Sequence, residues 1–576
     1  MWSPQYGKGR AVRSLSVVAV AITTVVGSVM AATGATAEDA ARQAPAGASE
    51  EYVVAFTGTP EQAAAAIQAA GGTVQSVTRE LGVALVSSSD GEFLGKVRAR
   101  GEVLGAARNH AVGTARPGMP HRFAEERPSA AERAAAGSGH GANGGPDTEP
   151  LSELQWNMEM IGATPDAAHR RATGKGVDVG IIDTGIDGRH PDLAPNFDLE
   201  RSRNFTTDIP EIDGPCEYAG CVDPPYVDDG GHGTHVAGIV AAADNDFGIA
   251  GVAPDATLVN LDAGQDSGFF FLYETVAALV YAGSIGLDVV NMSFFTDPWL
   301  YNCTSRGEYI EGTVTEEELA QQRLTRGLVQ AAVAFAHRRG VTLVGSAGNE
   351  HQDQAAPTRI DLISPDFPEG AARPRVVAET CLNMPNEAPQ VISVSAVGPS
   401  TTKADYSSYG LGDVEIAAPG GWFRDFVGTS EFQTPGNLVL SSYPLHVAIA
   451  EELADPGGEP VDEFSVRYCN DQGVCGFYTY LQGTSMASPH VAGAAALAIE
   501  AHGRSTRDGG RALDPDAVAR ILLTTATDHA CPAGGVEVYT DEGRTPDFNA
   551  VCEGTTDVNG LYGEGIVDAA AAVRGR

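Results

Sequence analysis

Short apolar and amphipathic runs alternate from residue 51 onward, and they fall into two blocks. In the first block, residues 51–57 predict a strand. Residues 60–70 are Ala-rich and follow Thr59, so they predict a helix, which Gly71-Gly72 stops. Residues 74–88 predict one or two strands, 92–100 a second helix and 104–112 a last strand. The order β-α-β-β-α-β predicts a small ferredoxin-like α+β unit. In the second block, from 151 on, short fully apolar strands alternate with helices. Strands are predicted at 177–182, 257–261, 288–292, 341–344, 391–396 and 414–417, and helices at 235–243, 272–282, 319–339 and 485–501. Strands without polar alternation, separated by helices, predict an α/β fold of three layers around a mainly parallel central sheet.

Residues 113–150 lack apolar periodicity and are rich in Gly, Ala, Pro and charge, which predicts an exposed linker open to proteolytic nicking. The first residues carry an address. Lys8, Arg10 and Arg13 precede an apolar run from Leu15, and Ala35-Thr36-Ala37 offers a small-x-small cleavage pattern. Residues 1–37 are therefore expected to be a signal peptide, using the general route since no paired Arg is present. The expected product is secreted, extracellular and without a stable membrane anchor.

Charge narrows the partners. Asp and Glu number 75 against 37 Lys and Arg, a formal charge of −38, which argues against nucleic acid. All eight cysteines lie beyond residue 215, and an even number in an exported chain favours disulfides. Near-neighbour pairing would join Cys216 to Cys221, Cys469 to Cys475 and Cys531 to Cys552, leaving Cys303 and Cys381. That is one of 105 connectivities open to eight cysteines. No C-x-x-C pair favours zinc.

Three segments carry candidate chemistry. Residues 177–193 place Asp183 at the C-terminal end of a buried strand, where catalytic groups of open α/β sheets gather. In Gly230-Gly-His232-Gly-Thr-His235, an imidazole stands just before an apolar helix. In Gln482-Gly-Thr-Ser485-Met-Ala-Ser-Pro489-His490, a serine opens a helix, where unpaired N–H groups and the helix dipole favour negative charge. Pro489 is expected in the first turn. A serine hydroxyl is a weak nucleophile without a base, histidine supplies one near neutral pH, and a carboxylate behind the ring fixes its tautomer. The order Asp, His, Ser is that of subtilisin and not of chymotrypsin or the α/β-hydrolases. His190 and His490 are expected to be structural, and His232 and His235 are not expected to form a metal pair, since no acidic third ligand with a recognised spacing follows.

These segments resemble the three signature segments of the subtilisin-like serine peptidases over about residues 151–576. The resemblance implies that Asp183 orients, His232 acts as general base and acid, and Ser485 attacks. Val344-Gly-Ser-Ala-Gly-Asn349-Glu350 also matches, which implies that the Asn349 amide stabilises the oxyanion. Residues 38–112, with a core at 51–112, resemble the family's inhibitory propeptide, and 113–150 would then hold the maturation cut. The expected activity is that of a serine endopeptidase. It would act as a monomer on protein or peptide substrates, with its own propeptide as intramolecular inhibitor and no organic cofactor.

The resemblance further implies that extended peptide binds between two segments, with Ser267 and Gly268 in one and Ser293 and Phe294 in the other. The family usually has small residues where Phe294 and Phe295 stand, so these rings either shape the pocket or pack inward. Residues 243–254 resemble a calcium loop, which implies structural Ca²⁺ held by Asn245 and Asp192. Two stretches, about 297–325 and 421–480, exceed what the family core needs, and each carries cysteine.

Overall fold

The computed structural model describes residues 49–109, 126–129, 132–133, 149–368, 370–506 and 509–574. The expected signal peptide at 1–37 lies outside the described residues, as do 38–48, 110–112 and most of the linker. Within the described residues no helix is long and apolar enough to cross a membrane.

The N-terminal unit comprises β1 (Glu50–Phe56), α1 (Pro60–Ala69), β2 (Thr73–Thr78), β3 (Val83–Ser88), α2 (Phe93–Arg98) and β4 (Val103–Arg108). Its antiparallel sheet has the order β2-β3-β1-β4. Thr59 caps α1 in a box with Gln62, which explains why the helix starts there. Tyr52, Val54, Ile67, Val86, Phe93 and Val97 form a core of its own between helices and sheet.

The large unit is built on a seven-stranded sheet whose strands all run parallel. They are β5 (Asp178–Asp183), β6 (Arg203–Asn204), β7 (Thr257–Asp262), β8 (Val289–Met292), β9 (Thr342–Ser346), β10 (Val391–Val397) and β11 (Ile416–Pro419). The spatial order is β11-β10-β9-β8-β5-β7-β6. Its main helices are α3 (His232–Ala241), α4 (Leu272–Ile285), α5 (Glu316–Arg338) and α6 (Thr484–His502). Two apolar clusters flank the sheet. α3 and α6 contribute to one, and α4 and α5 to the other.

The second cluster also takes in Val53, Ala55 and Val83, so the N-terminal sheet lays one face on α4 and α5. The junction is polar at its edge. Asn109 donates to Glu274 at 3.0 Å and accepts from the Tyr273 N–H at 3.0 Å, in the first turn of α4. Arg108 pairs with Glu50 at 3.0 Å and with Glu317 of α5.

The four disulfides are Cys216–Cys221, Cys303–Cys381, Cys469–Cys475 and Cys531–Cys552, the near-neighbour set with its remainder. Cys303–Cys381 spans 78 residues and ties the first extra stretch to the turn that follows the strand Arg375–Ala378. The second extra stretch folds as a three-stranded sheet of β12 (Val439–Ser442), β13 (Ser465–Cys469) and β14 (Cys475–Leu481), with a short helix at Leu445–Ala450.

Three expectations need correction. The helix expected at 235–243 starts at His232, because the Asp228 carboxylate accepts from the N–H groups of Gly230, Gly231 and Thr234 and organises the turn before it. Pro489 is the sixth residue of α6, beyond the first turn. It removes the N–H that would serve the Ser485 carbonyl, which instead accepts the Ser293 hydroxyl at 3.0 Å. Finally, the described part of the linker is not exposed throughout. Glu126 is 3% exposed and lies against α3 and the start of α6.

Candidate active site

β5 ends on Asp183, at the C-terminal edge of the sheet. Its Oδ1 accepts from the Thr184 N–H at 2.9 Å and lies 2.7 Å from His232 Nδ1, with both side chains buried. His232 opens α3, and the turn behind it is fixed from two sides. Asp228 binds three backbone N–H groups there. The Thr184 hydroxyl donates to Asp228 at 3.0 Å and accepts from Gly233 N–H at 3.0 Å. A Cβ at Gly233 would stand 2.1 Å from the Gly185 carbonyl, so only glycine lets this helix start come so close to the Asp183 strand. Asp228 is a positioning residue that sequence reasoning missed. Its signal was the carboxylate pair Asp228-Asp229 before Gly-Gly at a helix start, near the place for a capping side chain.

Ser485 is the second residue of α6, so its N–H has no acceptor within the helix. Its hydroxyl donates to the Ser293 carbonyl at 3.3 Å. Asn349 follows β9. Its Oδ1 accepts from the Thr484 N–H and hydroxyl, each at 2.9 Å, which fixes the amide so that Nδ2 points away from the helix.

Nδ2 meets Glu126. One oxygen of the Glu126 carboxylate accepts from Asn349 at 3.3 Å, and the other lies 3.2 Å from His232 Nε2. The Glu126 carbonyl accepts from the Gln482 N–H at 3.0 Å. Burial opposes an imidazolium here, but the Asp183 and Glu126 carboxylates outweigh it and push His232 up to about 10. Glu126 docked on Nε2 thus favours the protonated ring, the form that cannot act as a base. Burial in turn raises Asp183, against the pull of His232.

The residues expected to contact substrate divide. Ser267 donates from N–H and hydroxyl to Asp213 at 3.0 and 2.7 Å, and Gly268 closes a turn at φ +87°. The Ser293 hydroxyl donates to the Ser485 carbonyl and lies 2.8 Å from the Ser488 hydroxyl, while the Ser293 carbonyl accepts the Ser485 hydroxyl. The Phe294 side chain takes the inward of the two directions left open by the sequence. It is 5% exposed and stacks on Phe270 with ring centroids 4.0 Å apart, so it packs inward and its ring does not line a cleft. The other histidines are structural. His235 Nε2 lies 3.1 Å from the Thr479 carbonyl, and burial pushes it down to about 3. His190 and His490 are held by the Phe477 and Met486 carbonyls.

Two places could hold a cation. Asp192 Oδ2 accepts from the Tyr478 hydroxyl at 2.7 Å and the Ile249 N–H at 3.1 Å, while its buried Oδ1 has no donor among the described residues. Asn245, on the neighbouring loop, donates to the Pro191 carbonyl at 3.2 Å. Separately, carboxylate oxygens of Asp223, Asp229 and Asp266 lie within 4.8 Å of one another, as do those of Asp208, Glu217 and Asp266. Burial and mutual repulsion push Asp223 up to about 7 and Asp266 up to about 10.

A buried Asp–His pair, a serine at a helix start and an oriented amide thus meet at one sheet edge. Residues 174–548 match the model of the subtilase family, peptidase family S8. The chain belongs to the subtilase family. This subtilase is 29% identical over 326 residues to subtilisin DY of Bacillus licheniformis, a match that covers 57% of this chain and 77% of that one. It is 27% identical over 330 residues to subtilisin NAT of Bacillus subtilis subsp. natto, covering 57% of each. In fold it is similar to the epidermin leader peptide processing serine protease of Staphylococcus aureus. That likeness has a TM-score of 0.58 and 19% identity, and covers 92% of this chain and 98% of the other. The family is one of serine peptidases, and the subtilisin-like α/β fold agrees with the parallel sheet described above.

Proposed function

We propose that this subtilase is a secreted serine endopeptidase, made as a latent precursor, that cuts protein substrates through Asp183, His232 and Ser485. The observation that carries the reading is the convergence of His232 Nε2 and Asn349 Nδ2 on one carboxylate, Glu126, with Asp183 2.7 Å behind the imidazole. A base and an oxyanion donor close enough to share one anion can flank one peptide bond, the base at the attacking hydroxyl and the amide at the carbonyl oxygen.

In the reaction, Ser485 Oγ bonds to the peptide carbonyl carbon while His232 Nε2 takes its proton. The oxygen becomes an anion, held by the Asn349 amide and the Ser485 N–H. The C–N bond then breaks as His232 returns the proton to the amine, leaving an ester on Ser485. Water attacks that ester with His232 again as base, the bond to Ser485 Oγ breaks as His232 returns the proton to it, and the acid leaves. Asp183 holds Nδ1 protonated and stabilises the imidazolium throughout. Removing one oxyanion donor costs about 10²–10³ in turnover. Asn349→Ala is therefore expected to fold and to slow casein cleavage by that factor. An unchanged rate in the purified variant removes Asn349 from the site.

The N-terminal unit (38–112) acts as propeptide. Its docking on α4 and α5 and the seating of Glu126 on His232 support a precursor that stays inactive until the 113–150 segment is cut. Substrate chains would pass Ser267-Gly268 and the backbone of Ser293 and Phe294. Calcium is proposed as a structural ion at Asp192 and Asn245, where the donorless, buried Asp192 Oδ1 fits a hard cation. Chelation is expected to lower Tm by about 5 °C, a shift that Asp192→Asn abolishes. Equal Tm with and without chelator contradicts the site.

A further inference from the structure

Beyond Glu126 the linker leaves the catalytic groups and packs on the second extra stretch. Arg127 Nη1 lies 2.9 Å from Glu451, Nη2 donates to the Tyr443 hydroxyl, and the guanidinium carbon stands 5.2 Å over the Tyr443 ring. The side chains of Arg127 and Glu451 are only 16% and 17% exposed, unlike a surface ion pair. Tyr443 itself donates to Glu451 at 2.8 Å, so the two walls of the pocket are tied to each other as well as to Arg127. A Cβ on Gly231 would come within 2.4 Å of the Tyr443 ring, which places this pocket one residue from His232.

We propose that Glu451 and Tyr443 form an arginine-binding subsite that selects substrates, and that Arg127 fills it in the precursor. The proposal rests on the peptidase reading above. A substrate chain that follows the path of residues 126–127 along Gln482 presents its side chain to the same wall. The wall offers a carboxylate, a phenol oxygen and an aromatic face. That set suits a planar guanidinium with several donors better than an ammonium. Both Tyr443 and Glu451 come from the 421–480 stretch, which gives this insertion a role in choosing substrates.

The test compares peptides in which arginine, or its neutral isostere citrulline, is placed at successive positions on both sides of the cut bond. The processed enzyme is expected to prefer arginine about tenfold in kcat/KM at one position, chiefly through KM. The ratio is expected to fall to about one in Glu451→Gln. Casein cleavage by the same preparations reports peptidase activity separately. A ratio near one at every position, in an enzyme that cuts casein, overturns the subsite and leaves the peptidase reading standing. So does a preference that survives Glu451→Gln. A second measurement needs no turnover. In full-length Ser485→Ala protein, Arg127→Ala and Glu451→Gln are each expected to speed cutting between residues 109 and 149 by added thermolysin several-fold, without adding in the double variant. Unchanged rates in both overturn the pocket.

Discussion

Ser485→Ala is expected to lower turnover by about 10⁶ while leaving the fold intact, as loss of the nucleophile does in subtilisin. The hydroxyl removed makes one long hydrogen bond, 3.3 Å to the Ser293 carbonyl. Little stability depends on it. The Ser485 carbonyl keeps its bond from the Ser293 hydroxyl, so the start of α6 stays in place. The residual rate reports what the oxyanion donors and substrate binding still contribute without a nucleophile. The same substitution tests maturation. Made alone, the Ser485→Ala chain is expected to keep residues 38–112 attached. Loss of that unit with no other protease present shows that self-cleavage is not the route.

Asp183→Asn is expected to cost about 10⁴ in kcat with the fold retained. The carboxylate is buried, and its Oδ1 already serves two donors, the Thr184 N–H and His232 Nδ1. An amide there matches the shape but withdraws the charge that stabilises the imidazolium. Because Asp183 helps to hold His232 up, the substitution also lowers the pKa of the imidazole. Pre-steady-state acylation and the titration of His232 by NMR check both effects. A loss under about tenfold, or an unmoved imidazole, removes Asp183 from the role of orienting acid.

The parts of this site that were legible in the sequence are those where residue type and spacing carry the chemistry. Asp183, His232, Ser485 and Asn349 each sit in a long motif at a strand end or helix start, and the structure brings all four to one edge. Six of the seven strands of the parallel sheet were legible because strands buried on both faces must be apolar throughout, whereas the short polar edge strand β6 was not. Their ends shifted by one or two residues, as at β11, expected at 414–417 and found at Ile416–Pro419. Glu126 and Arg127 were not legible. Both lie in a charged, Pro- and Gly-rich stretch without periodicity, and what holds them is tertiary: Gln482, Tyr443 and Glu451 come from more than 300 residues away. The inward turn of Phe294 was equally hidden, since it depends on Phe270 from another segment. Asp228 falls between these cases, with a local signal in the nearby Gly230-Gly231 but a role visible only once Thr184 and Thr234 are beside it.

The most direct measurement is cleavage of denatured casein by the processed protein, with and without a serine-directed fluorophosphonate, beside Ser485→Ala. The expected result is cleavage that the reagent abolishes, one phosphonyl group per chain on Ser485, and no cleavage by the variant. Cleavage that survives both the reagent and the substitution contradicts a serine peptidase acting through Ser485.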